Sequence, residues 1–156
     1  MKCGTGGVKM KAVVQRVLSA QLTVDGKLIS EIKKGYVVFL GVGKGDDESV
    51  ADYFINKIPP LRIFEDDNGK INKSILDAGG EILLVSQFTL YANTSHGNRP
   101  DFLSAESPER ANDLYLYVAD GLRSRGVTVK TGVFGADMKI TQVNDGPFTV
   151  ILEKQA

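Results

Sequence analysis

The unbroken apolar run Ile82-Leu83-Leu84-Val85 constrains the fold more than any other segment of the chain. A strand with one wet face alternates apolar and polar residues, so an uninterrupted apolar run fits a strand covered on both faces. Residues 81–90 are therefore expected to form a central strand with packing on either side. Shorter runs rich in valine and isoleucine at 12–17, 21–24, 28–32 and 36–42 read as its companions. Asp25-Gly26 joins the second of these to the third and favours a hairpin, because the pair accepts positive φ at both turn positions. A further strand is expected at 61–64, then a polar turn at Glu65-Asp66-Asp67-Asn68-Gly69 and a short helical piece at 72–76. Three more strands are expected near 127–131, 138–143 and 148–153.

Two segments carry helical spacing instead. Val50, Phe54, Ile55 and Ile58 share one face of 46–58, which Pro59-Pro60 ends. Ser107-Pro108 opens the second: serine can cap free amides and proline fits the first turn. Ala111, Leu114, Tyr115, Val118 and Leu122 then keep one face apolar until Gly126. The order is strands, helix, strands, helix, strands, with neither βαβ alternation nor internal repeats. That order predicts an α/β fold, a mixed and largely antiparallel sheet with two main helices. The length of 156 residues suits one domain, taken as 10–156. Residues 1–9, rich in glycine and lysine, read as a flexible leader from an upstream start codon or a cloning remnant.

The charge balance narrows the partners. Lys+Arg and Asp+Glu both number 19, so the formal net charge is zero and bulk electrostatics offer no tight grip on nucleic acid. DNA is not expected as a partner, and RNA would have to be met by a local basic patch or a pocket for one end. The single cysteine, Cys3, cannot form an internal disulfide, which fits a reducing compartment and makes cytoplasm the expected location. No apolar stretch approaches the roughly 20 residues of a membrane span, so no membrane partner is expected.

Most side-chain chemistry is scarce here. His96 is the one histidine and falls in the loop 91–102, where a solvated role is the ordinary one. A serine triad would have to pair Ser86 with His96. No HExxH or paired CxxC spacing points to a metal, and no cofactor motif is present. Gly41-Val42-Gly43-Lys44-Gly45 lacks the spacing of a phosphate loop and reads as a strand-to-helix turn. Glu65-Asp66-Asp67 lacks calcium-loop alternation. An active site in this chain would lack an obvious protein base: backbone amides and hydroxyls would polarise a carbonyl while the substrate supplies the proton-transfer group.

Two runs end apolar strands with small polar groups: Ser86-Gln87-Phe88-Thr89-Leu90 and Asn144-Asp145-Gly146-Pro147-Phe148-Thr149. Singly, the first is also a plain strand end and the second a plain hairpin turn. As a pair they closely resemble the signature of the D-aminoacyl-tRNA deacylases, which hydrolyse the ester joining a D-amino acid to tRNA. The resemblance runs from about Met10 to the C-terminus through Lys11-Ala12-Val13-Val14-Gln15-Arg16-Val17, Leu61-Arg62-Ile63-Phe64, Gly97-Asn98-Arg99-Pro100 and Gly132-Val133-Phe134-Gly135-Ala136-Asp137-Met138. Pro59-Pro60 and the leader depart from the pattern, outside its motifs.

This resemblance implies a barrel-like sheet, a homodimer with two sites at its interface, no cofactor, no metal, and D-aminoacyl-tRNA as substrate through its 3′-terminal adenosine and D-amino acid. It implies a cis Gly146-Pro147 peptide that enters the other subunit's pocket and excludes L side chains, an exclusion that glycyl-tRNA, including tRNA-Ala mischarged with glycine, escapes. Carried over by position, Ser86, Gln87, Phe88 and Thr89 surround the ester, with backbone amides at the oxyanion and the ribose 2′-hydroxyl assisting. Asn144, Thr149 and Arg16 belong with Gly146 and Pro147 on the selecting side, Arg16 steadying the loop. Phe134, Gly135, Ala136 and Met138 lie near the adenine. From the residues alone, Phe134 is a core ring more often than a binding residue, because aromatic rings dominate cores, and Arg16 is equally a solvated strand position or structural ion pair. Two rivals stand beside this reading: a non-catalytic tRNA-end or nucleotide-binding module, and a Ser86-His96 hydrolase.

Overall fold

The computed structural model describes residues 9–155; apart from Lys9, the expected leader lies outside them. The first strand, β1 (Met10–Val24), is one 15-residue element where two strands were expected. Irregular pairing around Val17 and Ser19 explains the gap in the apolar pattern: Leu18 turns outward there, 53% exposed. The bulge also inverts side-chain parity. Met10, Ala12 and Val14 face one core cluster, whereas Ala20 and Leu22 face the other. Asp25 (φ 51°) and Gly26 (φ 78°) then turn the chain into β2 (Lys27–Ile32), as the sequence predicts.

β3 (Gly35–Gly41) lies antiparallel to β1. It leads to α1 (Glu48–Lys57), where Asp47 caps the helix by accepting from the Val50 amide at 3.1 Å. The strand expected at 61–64 is nearly absent: β4 (Phe64–Glu65) keeps only its last residue. The Ile63 carbonyl instead accepts from Arg16 Nη1 at 2.7 Å, and the Leu61 amide bonds back to Ile58. β5 (Ile71–Lys73) pairs with β4, and α2 (Ile75–Ala78) follows with Ser74 and Asp77 forming a capping box. The expected helical piece at 72–76 is thus divided between a strand and a helix.

β6 (Glu81–Ser86) is the central strand, running parallel to β3. Ile82 and Leu84 are buried in the cluster beneath the helices, while Leu83 and Val85 are buried in the second cluster. This is the two-sided burial that the apolar run requires, and each such side chain contributes roughly 1.5–3 kcal/mol. The strand stops four residues earlier than expected, and Phe88–Tyr91 form a 3-10 turn. Long-range packing causes the break: Tyr91 tucks beneath β3, its hydroxyl donating to the Gly41 carbonyl at 2.9 Å. Gly41 admits this approach, since a Cβ there would lie 2.9 Å from the Tyr91 ring.

α3 (Pro108–Ser124) buries Ala111, Leu114, Tyr115, Val118 and Leu122 as predicted. Ser107, however, makes no side-chain cap; the Glu106 carboxylate accepts from the Ser107 amide instead. β7 (Thr128–Thr131) runs parallel to β6. The two strands expected at 138–143 and 148–153 are a single element, β8 (Lys139–Lys154), paired antiparallel with β1 along nearly its whole length. The hairpin alternative for 144–149 is thereby excluded. The strand order is β2-β1-β3-β6-β7 with β8 on β1, and Ser30 and Lys130 bond β2 to the carbonyl and side-chain edge of β7. The sheet is mixed and nearly closed, a barrel-like wall with both long helices on one face.

Candidate active site

A cavity of about 670 Å³ opens where β6 ends. Ser86 and Phe88 line it from the first signature run, and Phe134, Gly135, Ala136 and Met138 from the connection between β7 and β8. These segments meet because β3 and β7 flank β6 in parallel, so their C-terminal ends share one rim. Phe134 is fixed against Tyr115 of α3, ring centroids 6.2 Å apart. It is both things the sequence allowed: packed against the core and part of the cavity wall.

The 3-10 turn gives the rim its polar character. Gln87 closes the β6 ladder by donating its amide to the Leu40 carbonyl at 2.9 Å, after which the chain turns. Among the described residues, no backbone acceptor engages the amides of Phe88 and Thr89, the first N–H groups of that turn. Neither Gln87 nor Thr89 lines the cavity; their side chains bond each other instead, Gln87 Nε2 donating to Thr89 Oγ1 at 2.9 Å. Phe88 is 57% exposed, with Phe102 edge-on at 5.1 Å. His96 is exposed and does not line the cavity, so the Ser86-His96 pairing finds no geometric support.

The second signature run lies apart from this cavity. Gln15 pairs with Thr149 and Val17 with Asn144, so residues 145–148 bulge out opposite Arg16 alone. The Gly146-Pro147 peptide is cis, and both residues are exposed. Arg16 is only 5% exposed and decides between its sequence alternatives by its contacts. Its Nε donates to the Asp145 carbonyl at 3.1 Å, the Asp145 carboxylate lies 3.3 Å away, and the guanidinium covers the Phe148 ring at 5.0 Å. With Nη1 on Ile63, it ties the bulge to the segment after α1. Asn144 is exposed and accepts from Gln142 at 2.6 Å; Thr149, on the other side of the bulge, is exposed as well.

Val42, Lys44, Phe102, Glu106 and Ala111 also line the cavity, and sequence reading did not single them out for it. Gly41-Val42-Gly43-Lys44-Gly45 is the turn that its spacing suggested, but that turn is also a cavity wall, because its amides bond residues 104–106. The Asp46 carboxylate holds this turn, accepting from the Gly43 amide at 2.7 Å while its Oδ1 has no partner. Burial raises Asp46 to about 6, with Glu106 and Asp47 adding to the rise and the Gly43 bond opposing it. The folded chain therefore binds the proton that the unfolded chain has already lost, and Asp46 costs stability as pH rises from about 4 to 6. Asp46→Asn is expected to gain on wild type by on the order of 2 kcal/mol between pH 4 and pH 8, whatever the fixed cost of its buried amide. Urea unfolding of both proteins at the two pH values checks this.

Among the described residues, no three His, Cys, Asp or Glu side chains gather as a metal site, and no helix is long and apolar enough to cross a membrane. The sequence family described as D-Tyr-tRNA(Tyr) deacylase matches residues 13–153. The D-aminoacyl-tRNA deacylase of Syntrophomonas wolfei is 53% identical, over 94% of this chain and 98% of that protein. That of Thermosipho melanesiensis is 52% identical, over 94% and 98%. A solved structure described as the c-Myc DNA Unwinding Element Binding Protein superposes with a TM-score of 0.87 at 44% identity, over 94% of this chain and 99% of that one. One described as a probable eukaryotic D-amino acid tRNA deacylase reaches 0.80 at 18% identity, over 94% and 100%, a likeness of fold. The chain belongs to the D-Tyr-tRNA(Tyr) deacylase family of hydrolases.

Proposed function

We propose that this D-aminoacyl-tRNA deacylase acts as a homodimer in the cytoplasm, each cavity receiving the Gly146-Pro147 bulge of the other subunit. The carrying observation is the separation of the two signature runs: the bulge stands exposed on β8, away from its own chain's cavity. A second copy brings the bulge of one chain to the cavity of another. Val143 (51% exposed) and Ile151 (66%) on β8 provide apolar surface for such a contact.

In this reading the terminal adenosine enters beside Phe134, Gly135, Ala136 and Met138, whose aromatic and apolar groups suit a base. The ester lies at Ser86 and Phe88, and the Phe88 amide, which has no backbone acceptor, is available to the developing oxyanion, with the Thr89 amide next to it in the turn. Gln87 donates to the Thr89 hydroxyl, and in this reading Thr89 shapes the turn and need not be the nucleophile. No histidine lines the cavity, and in this reading the substrate's own 2′-hydroxyl assists water, as the family resemblance implies. Backbone at the entering bulge leaves room for a D side chain and none for an L side chain; glycine has nothing to exclude, so glycyl-tRNA is accepted, including tRNA-Ala mischarged with glycine.

The test compares ester release from D-tyrosyl-tRNA, L-tyrosyl-tRNA and a non-isomerising D-tyrosyl analogue lacking the terminal 2′-hydroxyl. Release from the D-ester is expected to exceed the other two by at least about tenfold, the effect of losing one well-placed interaction. Equal D and L rates refute the selection, and an unchanged rate on the deoxy analogue returns a protein nucleophile to contention. tRNA binding without any release favours the binding-module alternative.

A further inference from the structure

The cavity holds a carboxylate to which the deacylation mechanism gives no work. Glu106 is half-buried in the wall, one residue before the N-cap of α3. Backbone fixes both of its oxygens: Oε1 accepts from the Ser107 amide at 2.9 Å and Oε2 from the Gly45 amide at 3.1 Å. Its own amide donates to Val42 at 3.0 Å. No ion pair among the described residues engages it; the free amides at the start of a 17-residue helix stand in for a counter-ion. A carboxylate offers about four acceptor sites and donates nothing. Two sites are used, so Glu106 presents a spare, fixed acceptor in a cavity whose other walls are largely apolar.

Its position decides which ligand group it meets. α3 carries Ala111 into the cavity wall and, one turn on, Tyr115 against Phe134. Glu106 lines the same cavity as Phe134, the ring on which a base would lie flat and present its edge. An acceptor there favours a base edge with an exocyclic amine and disfavours one with a carbonyl. We propose that Glu106 reads the base of the terminal nucleoside, accepting a hydrogen bond from the 6-amino group of adenine. The assignment rests on the reading of this cavity as the nucleoside site.

Binding separates this assignment from turnover. Calorimetry would compare two non-hydrolysable ligands, a 3′-D-tyrosylamido adenosine and its purine-riboside counterpart lacking the 6-amino group, on wild type and Glu106→Met. Wild type is expected to bind the adenine ligand at least about tenfold tighter, the effect of one hydrogen bond to a charged group. Glu106→Met, similar in length and without a strong acceptor, is expected to bring that ratio below about threefold at a temperature where its melting curve shows it folded. Equal wild-type affinities, or an undiminished ratio in the variant, overturn the assignment. D-ester release by the same wild-type preparation is read separately. Discrimination without release keeps Glu106 and refutes the deacylation geometry, whereas release without discrimination does the reverse.

Discussion

Gly146→Ala is expected to lower D-tyrosyl-tRNA cleavage by about a hundredfold, the scale of a catalytic group misplaced by about 1 Å. Gly146 has φ 135°, a region that L side chains avoid. An added Cβ would lie 2.7 Å from the Phe148 amide and 3.2 Å from the Phe148 Cβ. Backbone cannot swing aside as a side chain can, so the bulge must move. Because residues 146–147 are exposed, that movement costs stability only modestly, roughly 1–3 kcal/mol. The variant should therefore melt as a folded protein while its activity is nearly lost, a split that melting curves and single-turnover release read side by side. Wild-type cleavage by Gly146→Ala, with L-esters still refused, would remove the bulge from the mechanism.

Much of this was legible where one local rule decides the outcome. Asp25-Gly26 fixes its own turn, Pro59-Pro60 stops its own helix, and the run 82–85 announces burial on both faces. The errors fall where distant partners decide. Nothing in 81–90 tells that Tyr91 will reach under Gly41 and cut the strand at Ser86. Nothing in 61–64 tells that Arg16 will take the Ile63 carbonyl. The turn-like look of Asp145-Gly146 misleads for the same reason: β1 pairs with β8 on both sides of it, so a local turn signal becomes a bulge within a long strand. For the site, the motif residues Ser86, Phe88 and Phe134 were readable, but Val42, Lys44 and Glu106 reach the cavity only through loop-to-loop hydrogen bonds.

In the proposed mechanism fold and site both depend on Arg16, and its replacement should show in both. Arg16→Met keeps a similar stem while removing every donor, leaving the carbonyls of Ile63 and Asp145 without their partner. Unmaking a buried charge-assisted network costs about 3–5 kcal/mol when nothing rehydrates. The Asp145 side chain is 42% exposed and does rehydrate, so roughly 2–3 kcal/mol is expected, a fall in melting temperature of roughly 5–10 °C. The larger effect is on cleavage, expected to drop at least about tenfold well below the melting point, because the bulge loses its one anchor in β1. Arg16→Lys discriminates between charge and geometry. A single ammonium supplies the charge but not the fork that spans Ile63 and Asp145 while its flat face covers Phe148. If geometry governs, the lysine variant regains little cleavage even where it regains stability; if charge alone suffices, lysine restores both, and Arg16 is an ordinary structural ion pair.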